Sequence, residues 1–301
     1  MTRLRADLLL LAAAAVWGLA FVFQKTAMDA LGPATFIAAR GLVAAVALAP
    51  LAVLEWRRKG AKARGAFLPG GLLRAAVIAG LVFTVAAALQ QYGLKTSTAT
   101  NGGFLTALYV VLTPPLAWLL RGTRPGGALP LAVLASAVGT WMLGGGSFVA
   151  LSRGDWLVAA CAGFWALHVI LSETGAAFGR PVLFTGLQFV TVGVTAALMA
   201  VATETPSFAG LRAAAVEIAY VGLLSSALTF TILTVALKYT PSSEAAVIVS
   251  MESLFAALAG AALLGERLTP MAWAGAALIM AAVVLVQVAP RTQKIPAGCA
   301  K

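Results

Sequence analysis

The sequence predicts an all-α membrane protein with ten transmembrane helices, arranged as two inverted five-helix repeats around a central cavity. Three observations carry this. The 301 residues are 61% hydrophobic and only 10% charged, with a mean hydropathy of +0.96, and they fall into long apolar runs between short polar breaks. Landmarks recur: Trp17 before Gly32-Pro33 matches Trp165 before Arg180-Pro181 at an offset of 148, and Leu94-Lys95 matches Leu237-Lys238 at 143. Five spans per copy is an odd number, so the second copy must enter the bilayer upside down.

A helix needs roughly 20 apolar residues to cross ~30 Å of hydrocarbon. The first such run, 7–24, follows Arg3-Leu4-Arg5 and passes small residues at Ala12 to Ala15. It is read as the first helix and not as a cleaved leader, because the repeat requires it. The second run, 33–54, opens on Pro33 and gives way to a basic, Gly- and Ala-rich loop from Glu55 to Leu72. Runs three and four cover 73–94 and 99–120. Asn101-Gly102-Gly103 and Thr113-Pro114-Pro115 predict that the fourth helix is bent or hinged. The fifth run, 128–147, ends in Gly144-Gly145-Gly146-Ser147. No Lys-Ser or Lys-Thr follows to make a phosphate loop, so the glycines read as a helix end.

The second copy gives runs at 155–174, 181–203, 213–237, 243–264 and 269–289. The offset falls from 148 to 143, so the second copy has the shorter connection between its second and third helices. In the ninth run, Ser253, Ala257, Ala261 and Gly265 recur every fourth residue, a stripe suited to close helix packing. The expected organisation is a first repeat over 1–147, a second over 148–290 and a cytoplasmic tail over 291–301.

The net charge of +11 follows this topology. Of 21 basic residues, 15 fall on the side that holds both termini, including the cluster Arg57, Arg58, Lys59, Lys62, Arg64 and Arg74. Lys and Arg accumulate in cytoplasmic loops, which predicts that both termini are cytoplasmic. The charge therefore argues for a bilayer as partner and against nucleic acid. Cys161 lies in a span and Cys299 in the tail, so neither a disulfide framework nor a metal site is expected. No cofactor motif is present.

Ionisable and polar groups inside spans are the candidates for function, since hydrocarbon penalises them. Arg40, His168 and Glu252 are the ionisable ones. Trp165 and His168 share a helical face, as do Trp17 and Gln24 on the matching helix. At the offset of 143, Asn101 matches Glu244 and Tyr109 matches Glu252. Gln90, Gln91 and Tyr92 close the third span and read either as its outer mouth or as a mark of the membrane interface. A central polar cavity would satisfy these groups together. Glu252 is suited to an ammonium group, to a coupling proton or to a structural ion pair with Arg40; Arg40, Gln24 and Asn101 are suited to a carboxylate. Trp17, Trp165 and Tyr109 would cover the apolar part of a small solute. Ser225 and Thr229 are expected to bond their own helix backbone.

Ser250-Met251-Glu252-Ser253-Leu254-Phe255 leads into Leu264-Gly265-Glu266-Arg267-Leu268-Thr269-Pro270 and an Ala/Gly-rich last helix. This resembles the end of the EamA domain of the drug/metabolite transporter superfamily. Tyr109 to Pro115 with Arg121-Gly122-Thr123-Arg124-Pro125 is a weaker first copy; Trp17-Gly18 and Arg40-Gly41 are also similar. The resemblance implies a ten-helix inner-membrane transporter that exports or imports amino acids, other metabolites or drugs, with export of amino acids, the aromatic type among them, the expected activity; proton coupling or none is left open. Glu266 and Arg267 lack full counterparts in the first copy. A membrane enzyme is disfavoured by the single histidine and by the absence of nucleophile or zinc motifs. A passive channel and a structural subunit remain as rivals, and the oligomeric state is open.

Overall fold

The computed structural model describes residues 1–60, 71–146 and 151–288. Lys62, Arg64, Cys299 and the tail over 291–301 lie outside the described residues. Every regular element among the described residues is helical. The first half contains α1 (Arg3–Thr26), α2 (Pro33–Gly60), α3 (Leu72–Leu94), α4 (Ala99–Thr106), α5 (Tyr109–Arg121) and α6 (Leu129–Leu143). The second contains α7 (Arg153–Ala177), α8 (Pro181–Thr203), the short α9 (Phe208–Ala213) and α10 (Ala215–Ala219), then a π-helical stretch Tyr220–Leu228 that runs into α11 (Thr229–Ala236). It closes with α12 (Ser242–Val249), α13 (Glu252–Leu264) and α14 (Pro270–Val288). Nine helical spans among the described residues are long and apolar enough to cross a membrane. The fifth run is apolar but forms only the 15 residues of α6, about 22 Å at 1.5 Å per residue. It stops at the glycine triplet, where Gly145 (φ 93°) and Gly146 (φ 70°) adopt backbone angles that end a helix.

The fourth and ninth spans are both broken, and at matching residues. α4 and α12 are eight residues long, two residues intervene, and α5 and α13 follow with thirteen each. The breaks fall at Ala107-Leu108 and at Ser250-Met251. The proline expectation needs correcting. Pro114 and Pro115 lie inside regular α5, and the ninth span breaks identically without a proline. At the ninth-span break the Ser250 hydroxyl bonds the Val247 carbonyl (2.7 Å) and the Ser253 hydroxyl bonds the Ser250 carbonyl (2.8 Å). These hydroxyls accompany the break there, and the fourth span breaks at Ala107-Leu108 without them.

The halves interleave. α2 packs along α8, α3 along α7 and α8, α1 along α13, and α6 along α14. Close approach rests on small residues. A methyl group on Gly18 of α1 would overlap Phe255 and come within 2.7 Å of the Ala256 backbone nitrogen. On α13 the buried small residues are Ser253, Ala256, Ala257 and Gly260. The packing stripe therefore turns away from Ala261 and Gly265.

Two hydrogen bonds at opposite ends of the bundle repeat the sequence offsets. The Thr240 hydroxyl donates to Asp7 of α1 (2.5 Å), and the Ser97 hydroxyl donates to Asp155 of α7 (2.5 Å). Each ties the first helix of one half to the entry of the broken helix of the other. Asp155 also completes a capping box with Ser152 that starts α7.

Candidate functional site

A cavity of about 50 Å³ lies where the two broken spans meet α1, α2, α7 and the π-helical stretch. That is room for a few water molecules. One wall is aromatic. Phe83 is fully buried behind it and contacts Trp165 (ring centroids 4.9 Å apart), His168 (5.4 Å) and Phe230 (5.1 Å) edge-on. Trp17 leans on Phe230 at 4.9 Å. The Arg40 guanidinium sits over the Phe83 ring at 5.3 Å, a contact that partly compensates a buried cation.

The polar groups come from eight elements. Tyr109 and Glu252 are the first residues of α5 and α13, so the helix breaks deliver them to the cavity. Arg40 and Glu252 are 3% and 5% exposed. They form no ion pair with each other. Arg40 reaches Gln24 Oε1 at 3.5 Å, a long bond, and its Nε has no partner. Tyr109 and Glu252 are near enough to interact, yet the Tyr109 hydroxyl and Glu252 Oε1 have no hydrogen-bond partner. His168 Nε2 meets Gln188 Oε1 at 3.1 Å, and its Nδ1 is unpartnered. Trp165 Nε1 is unpartnered too.

Buried polar atoms without partners are rare, because each costs about 1–3 kcal/mol. Five of the nine such atoms among the described side chains belong to residues lining this one cavity. That concentration marks it as the place where a ligand would complete the bonding.

The cavity gathers eight of the ten sequence candidates: Trp17, Gln24, Arg40, Gln90, Tyr109, Trp165, His168 and Glu252. Two lie elsewhere. The Tyr92 hydroxyl donates to Glu204 (3.3 Å) at the far end of α3, and the Asn101 amide donates to Asp155 (3.3 Å) at the start of α4. Gln90 is engaged with the Thr106 hydroxyl (2.9 Å). Sequence reasoning missed Thr106 and Phe230 as lining residues and set Ser225 aside; Phe21, on the same face as Trp17 and Gln24, lines it with them. The Ser225 carbonyl accepts both the Thr229 hydroxyl (2.7 Å) and the Trp17 indole N–H (2.9 Å). Among the described residues no group of three or more His, Cys, Asp or Glu is placed to hold a metal ion.

A multi-span helical bundle with a buried carboxylate at a helix break and a buried guanidinium on the same cavity, unpaired with each other, is the architecture of a membrane transporter. The EamA-like transporter family matches residues 4–145 and again 152–288, and the chain belongs to that family. It is 31% identical over 292 residues to an uncharacterized transporter of Archaeoglobus fulgidus, across 94% of this chain and 86% of that protein. It is 25% identical over 293 residues to the uncharacterized transporter YwfM of Bacillus subtilis, across 96% of this chain and 95% of that one. A crystal structure with 17% sequence identity superposes with a TM-score of 0.73, covering 95% of this chain and 98% of its own, and shares the fold. The protein is thus a multi-pass transporter of a small molecule, and its family and these relatives are transporters, not enzymes.

Proposed function

We propose that this protein is an inner-membrane secondary transporter that exports amino acids, including aromatic ones, by alternating access between two inverted five-helix repeats. One observation carries the substrate class. A buried guanidinium and a buried carboxylate face the same small cavity, unpaired with each other, and each keeps a polar atom without a partner. A zwitterion supplies the missing charges: its carboxylate suits Arg40 and Gln24, and its ammonium suits Glu252. The Phe21, Trp17, Trp165 and Phe230 rings favour an apolar or aromatic side chain.

The equal lengths of the broken spans and the paired Asp7 and Asp155 bonds support the repeat. The basic residues on the side of the termini support a cytoplasmic placement for both ends. A cavity of about 50 Å³ is too small for an amino acid, so loading must move helices. That favours a carrier over a standing pore.

Purified protein in lipid vesicles tests the reading. Uptake of a labelled aromatic amino acid should saturate and should accelerate when unlabelled substrate is present on the other side. An imposed pH gradient then separates proton coupling from facilitated exchange. Absence of flux for every member of an amino-acid panel would defeat the substrate class.

A further inference from the structure

Two carboxylates away from the cavity perform the same task. Glu204 directly follows α8, and Glu266 follows α13 after the single residue Gly265. Each crosses to the first half and caps the start of a helix there. Glu204 accepts the backbone N–H groups of Ala34 (2.8 Å) and Thr35 (2.9 Å) and the Thr35 hydroxyl (2.6 Å). Glu266 accepts the backbone N–H groups of Ala99 (3.1 Å) and Thr100 (3.1 Å) and the Thr100 hydroxyl. A cap normally comes from the residue preceding its own helix; these two come from the other half of the protein. Each carboxylate also lies over a glycine. A methyl group on Gly32 would overlap the Glu204 carboxylate, and one on Gly260 would lie 2.5 Å from Glu266 Oε2.

Both caps sit at one end of the bundle, joined by the end of α3, where Tyr92 donates to Glu204. The opposite end repeats one of these caps, with Glu55 of α2 on the start of α8, and not the other. Gly122 and Gly265 share a φ of 70° after α5 and α13, which puts Thr123 where the second half has Glu266. The Thr123 hydroxyl bonds back to Ala117 of its own helix (3.1 Å), and α12 starts with no side-chain cap. That end is held by Glu55 on the Leu183 N–H (2.9 Å) and by arginine ion pairs, Arg3 with Glu244 (2.5 Å) and Arg121 with Glu173 (2.5 Å).

We propose that Glu204 and Glu266 form the latch of a gate at their end, and that both caps must release before solute can pass between that side and the cavity. Each cap fastens a helix that carries part of the site. Glu204 fastens α8 to α2, which bears Arg40. Glu266 fastens α13, which begins with Glu252, to α4, which leads into Tyr109. Parting α13 from α4 separates Glu252 from Tyr109, and parting α8 from α2 frees the helix that bears Arg40. The importance of the latch for flux rests on the carrier reading above, but the latch can be tested without any substrate.

Ser225→Cys, in a background with Cys161 and Cys299 replaced by Ala, places one thiol in the cavity wall. A membrane-impermeant maleimide is then added to one face of oriented vesicles or the other. Glu266→Ala and Glu204→Ala should each raise the labelling rate from the latch face by about fivefold or more, and the double variant further. Labelling from the opposite face should not rise. Thr100→Val and Gly260→Ala leave the carboxylate in place and should act in the same direction, more weakly, which guards against a variant that fails to fold. Unchanged labelling from the latch face in all of these, or an equal rise from both faces, would overturn the proposal. A one-sided rise without flux of any amino acid leaves the latch standing and defeats the substrate reading instead.

Discussion

The two halves place large aromatic and polar side chains at matching positions, yet use them differently. Trp17 and Trp165 both reach the cavity. Trp17 spends its indole N–H on the Ser225 carbonyl, whereas the Trp165 N–H is buried without a partner. Tyr109 and Glu252 open matching half-helices, but only one of them can carry a negative charge. Two glutamates there would face each other across one small cavity, and at least one would be driven to stay protonated. A duplicated scaffold therefore fixes the places, and single residues set the charge at each.

The largest expected effect comes from erasing that difference. Glu252→Gln should lower amino-acid flux at least tenfold, as the ammonium loses its counter-charge; wild-type flux in this variant would remove Glu252 from the site. Arg40→Lys keeps the positive charge but loses the planar fork and the ring contact with Phe83. It should weaken apparent affinity by about tenfold in the same vesicle assay, which ~1.4 kcal/mol would produce.

The tryptophans give a crossed pair of smaller effects. Trp165→Phe should reduce affinity several-fold with little change in melting temperature. Trp17→Phe breaks the bond to the Ser225 carbonyl and should cost about 1 kcal/mol of stability, read as a lower melting temperature in detergent, with affinity nearly intact. The reverse outcome would exchange the roles of the two halves.

The smallest effect is one of pH, at the helix end. Burial raises the carboxyl of Glu204, but the Thr35 hydroxyl, the Ala34 and Thr35 N–H groups and the Tyr92 hydroxyl outweigh it, and the group is held below its ordinary value. A carboxyl depressed in the folded state stabilises above its unfolded value, about 4.3, and loses that contribution as pH falls through the folded value. The melting temperature should therefore drop at acid pH, and Glu204→Gln should flatten the drop.

Much of this was legible in the sequence. Apolar runs bounded by proline, glycine and basic residues mark the helices within a few residues, and eight candidates meet in one cavity. Three things were not legible. Tyr92 and Asn101 are polar residues near helix ends, and no pattern within one helix distinguishes facing a cavity from capping a neighbour. Ser225 and Phe230 are five residues apart, which puts them on different faces of an α-helix. The π-helical stretch, with its i→i+5 repeat, helps turn both toward the cavity. Glu204 and Glu266 lie past helix ends, and their partners lie 170 and 167 residues away or nearly so.

The matched break in the fourth and ninth spans has a consequence for how this protein tolerates change in length. Each residue of an α-helix advances the next by about 100°. Deleting or inserting one residue within Ala99–Thr106 or Ser242–Val249 would therefore swing Tyr109 or Glu252 out of the cavity wall and onto a packed face. Those two stretches behave as rulers, whose composition can drift while their count cannot. The turn at Gly122, with nothing within 4 Å of where a side chain would begin, carries no such constraint and is the place to splice in a tag or a reporter.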